Sequence, residues 1–469
     1  MPTSRKILDL RDDVINLEKT IAIKRYTDQQ NRMAGSKIKK VVKEAMGLMR
    51  VVQTFLDWSI LGRQLATTTF NPFQAHITAK IFKAQAKSTF SVKNFDRLMD
   101  AIHKDDMYHD MKHDGIVYND LNTGTKANIN EEYPKSFIYE VPYLKELFLA
   151  SNRAADAALN MARFELYRQK RARLEKQGIF RETHPEEYKR MADLVMNETG
   201  RGKLLSFLEN SKAAQLMGQT FYGTRLMAAR FNILNPKNYL DMESLNPLSD
   251  KKLSEYDAVK KEALKDMVGF TTGLVVLGLA AKASGAGVSF NPDDPDFLQV
   301  RFGKKVYDIT GGLSPYVRTS LRIMEAAVAR GQSELGMGSS KKADKKANFA
   351  WTSTTRFFRN KLAPNTSNFV NMFYGKNTIG EPFSYSDFIR LYPLYVEDTY
   401  KAIQEDGISA LATVLVPNLL GLGYGSYANK ANKEVGKASG VDKTNINNTQ
   451  NNSRETKSTP TKVGQYKGY

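Results

Sequence analysis

Four residues at helical spacing have the side-chain types that bind metals. Asp106, His109, Asp110 and His113 stand at positions i, i+3, i+4 and i+7, so one face of a helix would carry all of them. Histidine with carboxylate suits zinc, manganese or iron. However, the glutamate of an H-E-x-x-H motif is absent, and Gly115 ends the helical pattern just beyond. We therefore favour a solvated helix end, and we predict no metal and no cofactor.

The patterns of the common catalytic sites are missing as well. The chain has no cysteine, which excludes thiolate nucleophiles, disulfides and cysteine-ligated zinc. The sequence TGRGK at residues 199–203 lacks the spacing of a phosphate-binding loop. Asp293, Asp294 and Asp296 are better explained as a proline-flanked turn than as an acid–base pair. No G-x-S-x-G or dinucleotide-binding motif occurs, so we predict a protein that is not an enzyme and has no catalytic residues.

The basic residues are the more informative set. A net charge of +19 favours a polyanionic partner, either nucleic acid or an anionic membrane surface. Phe164 and Tyr167 interleave with cations in the second half of a long predicted helix, an arrangement that could follow a phosphate backbone. An ordinary solvated face with cations near a helix C-terminus is the alternative. The predicted nucleic-acid-binding residues are Arg163, Arg168, Lys170, Arg171, Arg173, Arg201, Lys203, Lys341, Lys342, Lys345 and Lys346.

The elements that carry these residues are predicted to be mainly α-helical. We expect a multi-helix bundle with one short β-hairpin at about residues 297–309 and a disordered basic C-terminal tail, in a chain long enough for a large core. The longest helix is predicted over residues 143–177. The predicted regions are a helical arm (1–45), a helical domain (46–250), a central apolar helix with hairpin and Gly-Gly turn (251–335), a basic linker (336–348), a C-terminal helical region (349–427) and a disordered polar tail (428–469).

Two apolar segments stand out from this pattern. Residues 267–281 are uncharged but fall short of the ~20 residues needed to span a bilayer, and the spacing of Gly269 and Gly273 suits close packing of another helix. Residues 408–424 are interrupted by Pro417. We favour two core helices; insertion into a membrane is the alternative.

Several short motifs follow one another in a recognisable order. They are LGRQLA (61–66), TGRGK (199–203), RLMAARFNILNP (225–236), DPDF (294–297), GGLSPYVR (311–318), RNKLAP (359–364), GKNTIGEP (375–382) and RLYPLYVED (390–398). Together they resemble the large polyvalent protein associated region of bacteriophages and mobile elements, over roughly residues 51–427. The resemblance implies a protein packaged in the virion and delivered with the DNA. It carries no agreed catalytic residues.

Charge and resemblance together predict a non-enzymatic bacteriophage internal virion protein, of the cargo or ejection type, that contacts DNA through basic helices. Its expected partners are phage genomic DNA and other virion proteins such as portal, capsid or other cargo, with the host membrane and self-association as further expectations. Its expected location is the virion interior, then the host cytoplasm or cell envelope. One alternative is a conduit that inserts its apolar helices into the host envelope. Another is an interaction module that accompanies a nucleic-acid-modifying or anti-defence enzyme.

Overall fold

The computed structural model describes residues 59–119, 142–204, 223–241, 257–291, 296–303, 305–362, 364–375 and 422–426, together with residues 221, 244, 294, 403, 407, 413, 414 and 417. The predicted arm (1–45) and the predicted disordered tail (428–469) lie outside these residues.

Mainly α-helical structure with a small antiparallel sheet is confirmed. The described residues form α1 (Ile60–Arg63), α2 (Ala66–Thr69), α3 (Ala75–Thr89), α4 (Val92–His103), α5 (Tyr108–Asp114), α6 (Pro142–Glu175), α7 (Pro185–Glu198), α8 (Thr224–Leu234), α9 (Ala258–Ala283), α10 (Ser314–Glu334), α11 (Ser340–Asn360) and α12 (Pro364–Tyr374). Short 3-10 turns cover Pro72–Gln74 and Pro236–Asn238. The strands are β1 (Gly287–Val288), β2 (Gln299–Phe302), β3 (Lys305–Asp308) and β4 (Gly423–Ser426).

The largest core forms where α3, α6 and α7 pack together. Ile77 and Ile81 of α3 recur at helical spacing and are fully buried, as are Leu166 of α6 and Met191 of α7. Val259 of α9 belongs to the same cluster. Residues on both sides of the predicted region boundary at 250/251 therefore contribute to one core.

Helix α9 is anchored at its start and by two glycines. The Asp257 carboxylate caps it by accepting a hydrogen bond from Lys260 N at 3.0 Å. A Cβ on Gly273 would lie 1.6 Å from the Phe70 carbonyl oxygen, and one on Gly269 would lie 2.4 Å from the Asn71 side-chain oxygen. The close packing predicted from this glycine spacing is confirmed, although the neighbour is the corner after α2 rather than the side of a helix.

The prediction that residues 267–281 form a buried core helix is wrong for their second half. Val275, Val276, Leu277 and Leu279 are all exposed, with 40–58% of their surface accessible. The reason is geometric: only one side of this part of α9 faces the rest of the described structure, near strand β1.

The predicted hairpin is confirmed and is part of a larger sheet. Strands β2 and β3 are antiparallel, with Gln299 opposite Asp308 and Phe302 opposite Lys305, and β1 and β4 extend the sheet in the order β1-β2-β3-β4. Tyr307 lies opposite Tyr424. Residues 423 and 424 are thus strand rather than the end of an apolar helix, because the free edge of β3 supplies their hydrogen bonds.

Helices α10 and α11 form an antiparallel helical hairpin. The prediction of a basic linker at residues 336–348 is wrong from Ser340 onward, because α11 begins there; the connecting turn is short and includes Gly336 at φ 73°. Lysine and alanine are good helix formers, and packing against α10 stabilises the helix further. The Ser314 hydroxyl at the start of α10 donates to the Phe297 carbonyl at 2.7 Å and so ties this hairpin to the sheet.

Candidate nucleic-acid interface

The second half of α6 was predicted to bind phosphate, yet two of its cations are fully buried. Lys170 and Arg163 are 0% exposed. The Lys170 amine forms a salt bridge with Asp266 of α9 and lies 3.1 Å from Oε2 of Glu198, the last residue of α7. The prediction is wrong for these two residues because neither is accessible to a phosphate, and the charge of Lys170 joins three helices inside the protein.

Burial sets the protonation of this cluster. It raises the pKa of Glu198 to about 8, although the charge of Lys170 partly opposes the rise. Burial by itself would lower the pKa of Lys170, but Asp266 and Glu198 outweigh that effect and raise it. Gln74 Nε2 also donates to Asp266 Oδ1 at 2.7 Å. The cluster therefore pairs a charged lysine with a carboxyl group that burial makes easier to protonate, an arrangement suited to joining helices rather than to contacting DNA.

Arg163 is held by a second buried network. Its guanidinium donates to Thr199 Oγ1 at 3.2 Å, to the Val117 carbonyl at 2.8 Å and to Asn119 Oδ1 at 3.0 Å. Arg201, in the TGRGK corner, is 6% exposed. Neither side chain is placed to reach a phosphate.

Arg171 and Arg173 are only partly covered but already face carboxylates. Arg171 donates to Asp110 Oδ2 and to Glu175 Oε1, both at 2.7 Å. Arg173 donates to the buried Glu262 of α9 at 3.0 Å. These pairs stabilise helix contacts and would have to break before either arginine could bind DNA.

The four candidate metal ligands are not brought together. Asp106 precedes α5, and Asp110 is occupied by Arg171 and by Arg181, whose Nη1 lies 3.0 Å from it. The His113 ring nitrogen lies 2.8 Å from Arg181 Nη2. Within the described part of the chain, no group of three or more histidine, cysteine, aspartate or glutamate side chains is placed to hold a metal ion.

The remaining residues that were predicted to bind nucleic acid are on the surface, and most of them lie on α11. Lys341, Lys342 and Lys345 are exposed, and Lys346 is partly covered, 3.6 Å from Glu325 of α10. Elsewhere, Arg168 is exposed on α6, and Lys203 is exposed with its amine 2.6 Å from Asp193. The structure thus concentrates the accessible predicted cations at the start of α11.

That position is electrostatically costly for lysine. Helix α11 has no acidic residue in its first turn and no side-chain hydrogen bond at its cap, Ser339. A helix N-terminus carries partial positive charge, so each cation there costs about 0.3–1 kcal/mol. Arg356 is exposed on the same side of the helix about three turns later. A bound anion would relieve this repulsion, which makes the start of α11 the best-placed phosphate contact among the described residues.

Motifs that are distant in the sequence pack against one another around Arg230, and nothing in their spacing predicted this contact. Arg230 is 4% exposed, and it donates to the carbonyls of Arg63 and Gly311, the latter at 2.7 Å. Burial lowers the pKa of Arg230 to about 10. Gly311 has φ 63°, and a Cβ there would lie 1.9 Å from the Gly62 carbonyl oxygen. Only glycine therefore fits this contact.

Two further motifs join the same region. The Lys361 amine lies 4.9 Å from the centre of the Tyr316 ring, and burial lowers its pKa to about 8. A Cβ on Gly202 would lie 2.3 Å from the backbone nitrogen of Ala229. The motifs at residues 61–66, 199–203, 225–236, 311–318 and 359–364 thus meet in space, which gives them a shared packing role.

The fold and the candidate site define this chain as a mainly α-helical protein with a small antiparallel sheet and a basic helical hairpin. Comparisons with protein-family models, with curated proteins and with solved structures found no match. The resemblance to the large polyvalent protein associated region therefore stays a prediction.

Proposed function

We propose that this chain is a non-enzymatic bacteriophage protein, packaged with the genome and delivered with it, that contacts DNA phosphates through the first two turns of α11. The observation that carries the DNA contact is the exposure of Lys341, Lys342 and Lys345 at the positive end of that helix. The net charge of +19 supports a polyanionic partner, and the order of the motifs supports the virion location.

The expected mode of binding does not depend on DNA sequence. Lysine amines neutralise backbone phosphates as point charges, and this displaces counterions from the duplex. Phosphate contacts position a protein but carry no base information. Binding should therefore weaken steeply as salt concentration rises.

A lysine-to-glutamine triple variant tests the contact. Replacing Lys341, Lys342 and Lys345 should flatten the slope of log K against log salt by about 2–3, since each lost phosphate contact removes about 0.9. Fluorescence anisotropy with a short labelled duplex at several salt concentrations measures that slope.

The matched control removes the same charge elsewhere. Lys83 and Lys87 of α3 and Lys93 of α4 are also exposed. Replacing these three by glutamine should leave the slope within error of the unmodified protein. Equal effects of the two triple variants would show that only net charge matters and would contradict the α11 contact.

Packaging is tested on particles. We expect quantitative mass spectrometry to find the protein in purified full particles and to find it depleted after triggered genome release. Absence from full particles would contradict the packaging proposal and would favour the interaction-module alternative.

A second candidate function, a conduit in the host envelope, is favoured by one observation. The uncharged second half of α9 is exposed rather than buried in the core. Most of the other apolar segment, residues 408–424, lies outside the described residues, so this candidate depends on α9.

A further inference from the structure

The second half of α9 presents an apolar surface to solvent. No charged residue occurs between positions 267 and 281, and Val275, Val276, Leu277 and Leu279 are 41%, 57%, 40% and 58% exposed. Successive helix residues are rotated by about 100°, so these side chains cover more than half of the circumference. Exposed apolar surfaces of this kind mark interaction sites in soluble proteins.

The combination of high hydropathy and low burial is also unusual for a helix of this length. Among the described helices, α9 alone is long and apolar enough to cross a membrane by length and composition, with a mean hydropathy of 1.5 over 18 residues. Only 33% of that window is buried, which sets it apart from a typical core helix. Phe290 is 55% exposed, and its ring lies 3.5 Å from where a Cβ on Gly278 would be, so it extends the apolar surface.

The distribution of exposed apolar side chains around α9 favours a lipid partner over a protein partner. A partner helix covers one stripe, whereas acyl chains adapt to every exposed side. Lys282, which is exposed at the end of the apolar run, is placed to reach headgroup phosphates while its stem lies along apolar surface. We propose that the second half of α9, together with Phe290, docks into the headgroup and acyl-chain boundary of an anionic bilayer. This activity is additional to the DNA contact.

Ion pairs in the first half of α9 hold the helix to the protein, so only its second half is available to enter a bilayer surface. Glu262 and Asp266 are buried and are bonded to Arg173 and Lys170 of α6. Pulling the whole helix through a bilayer would break these pairs and leave buried charges without their partners. The whole 26-residue helix is long enough to cross a membrane, but its uncharged part of 15 residues spans only about 22 Å, less than the ~30 Å of the hydrocarbon layer. In this conformation the surface therefore fits an interfacial position rather than a transmembrane one, and a conduit would first require α9 to separate from α6.

The absence of cysteine allows a direct test. Leu279→Cys gives a single labelling site for an environment-sensitive fluorophore, and Lys83→Cys on α3 gives an exposed control site. With vesicles of phosphatidylcholine and phosphatidylglycerol in equal parts, the label at position 279 should brighten and shift to the blue. The label at position 83 should not change. An unchanged spectrum at position 279 would overturn the proposal.

Charge substitutions provide the second arm. The double substitution Val276→Glu with Leu279→Glu should weaken vesicle binding about tenfold, because two carboxylates must then enter the boundary between headgroups and acyl chains. Ile323→Glu with Val328→Glu makes the same change at exposed residues of α10 and should have little effect. Both pairs are exposed, so unchanged thermal unfolding is expected and confirms that the fold is intact. Equal binding of the two variants would contradict the proposal, as would self-association that only the α9 variant abolishes.

Discussion

Replacing Lys170 by methionine is expected to lower the free energy of unfolding by about 3–5 kcal/mol. Methionine preserves most of the side-chain volume but removes the charge, leaving the buried carboxyl groups of Asp266 and Glu198 without their cation. The cost is high because the buried Asp266 carboxylate loses its closest countercharge and keeps the Gln74 amide and the more distant Arg173 guanidinium, at 3.8 Å, in place of its hydration. Three helices lose their shared contact in one substitution.

Urea denaturation followed by circular dichroism at neutral pH measures this effect. The control is Arg168→Met, two residues earlier on the same helix but exposed. It should change the free energy of unfolding by less than about 0.5 kcal/mol. Similar stabilities of the two variants would contradict the buried ion cluster.

Glu198→Gln is expected to make stability less dependent on pH. Burial raises the pKa of Glu198 from 4.5 to about 8, so the folded protein holds this proton more tightly than the unfolded chain. The stabilisation is complete below about pH 4.5 and is lost as pH rises through about 8, at about 1.4 kcal/mol for each pH unit. Glutamine cannot ionise, while its amide can still donate to Asp266 and accept from Lys170.

The comparison is a series of urea titrations between pH 5 and pH 8.5. The glutamine variant should match the unmodified protein at the acid end and become progressively more stable than it toward the alkaline end. Glu186→Gln is the control, because Glu186 lies on the same helix with 78% of its side chain exposed. Parallel stability curves for Glu198→Gln and the unmodified protein would show that Glu198 does not carry the buried proton.

Local sequence signals account for much of the fold. The uncharged run at residues 267–281 predicts where α9 lies, and the alternation of apolar and polar residues at 297–302 predicts the hairpin. Gly303, at φ 58°, provides its turn. The predicted long helix over residues 143–177 is confirmed as Pro142–Glu175. These signals are readable because helix caps, turn glycines and hydrophobic period act within a few residues.

The functional assignment of individual lysines could not be read in the same way. Lys170 and Lys341 both lie on basic helices, yet one is buried and the other exposed. The partners of Lys170, Glu198 and Asp266, are 28 and 96 residues away in the chain. No local pattern reports a carboxylate at that separation, so the basic half of α6 resembled a phosphate-binding surface.

By itself, the sequence determined the helical class, the hairpin, the excess of positive charge and the absence of cysteine chemistry. The tertiary structure decided which cations remain available to a partner, which half of α9 stays outside the core and which distant motifs meet at Arg230. The physical reason is that composition and periodicity follow from neighbours along the chain. Burial, ion pairing and the pKa values that result from them depend instead on side chains that only folding brings together.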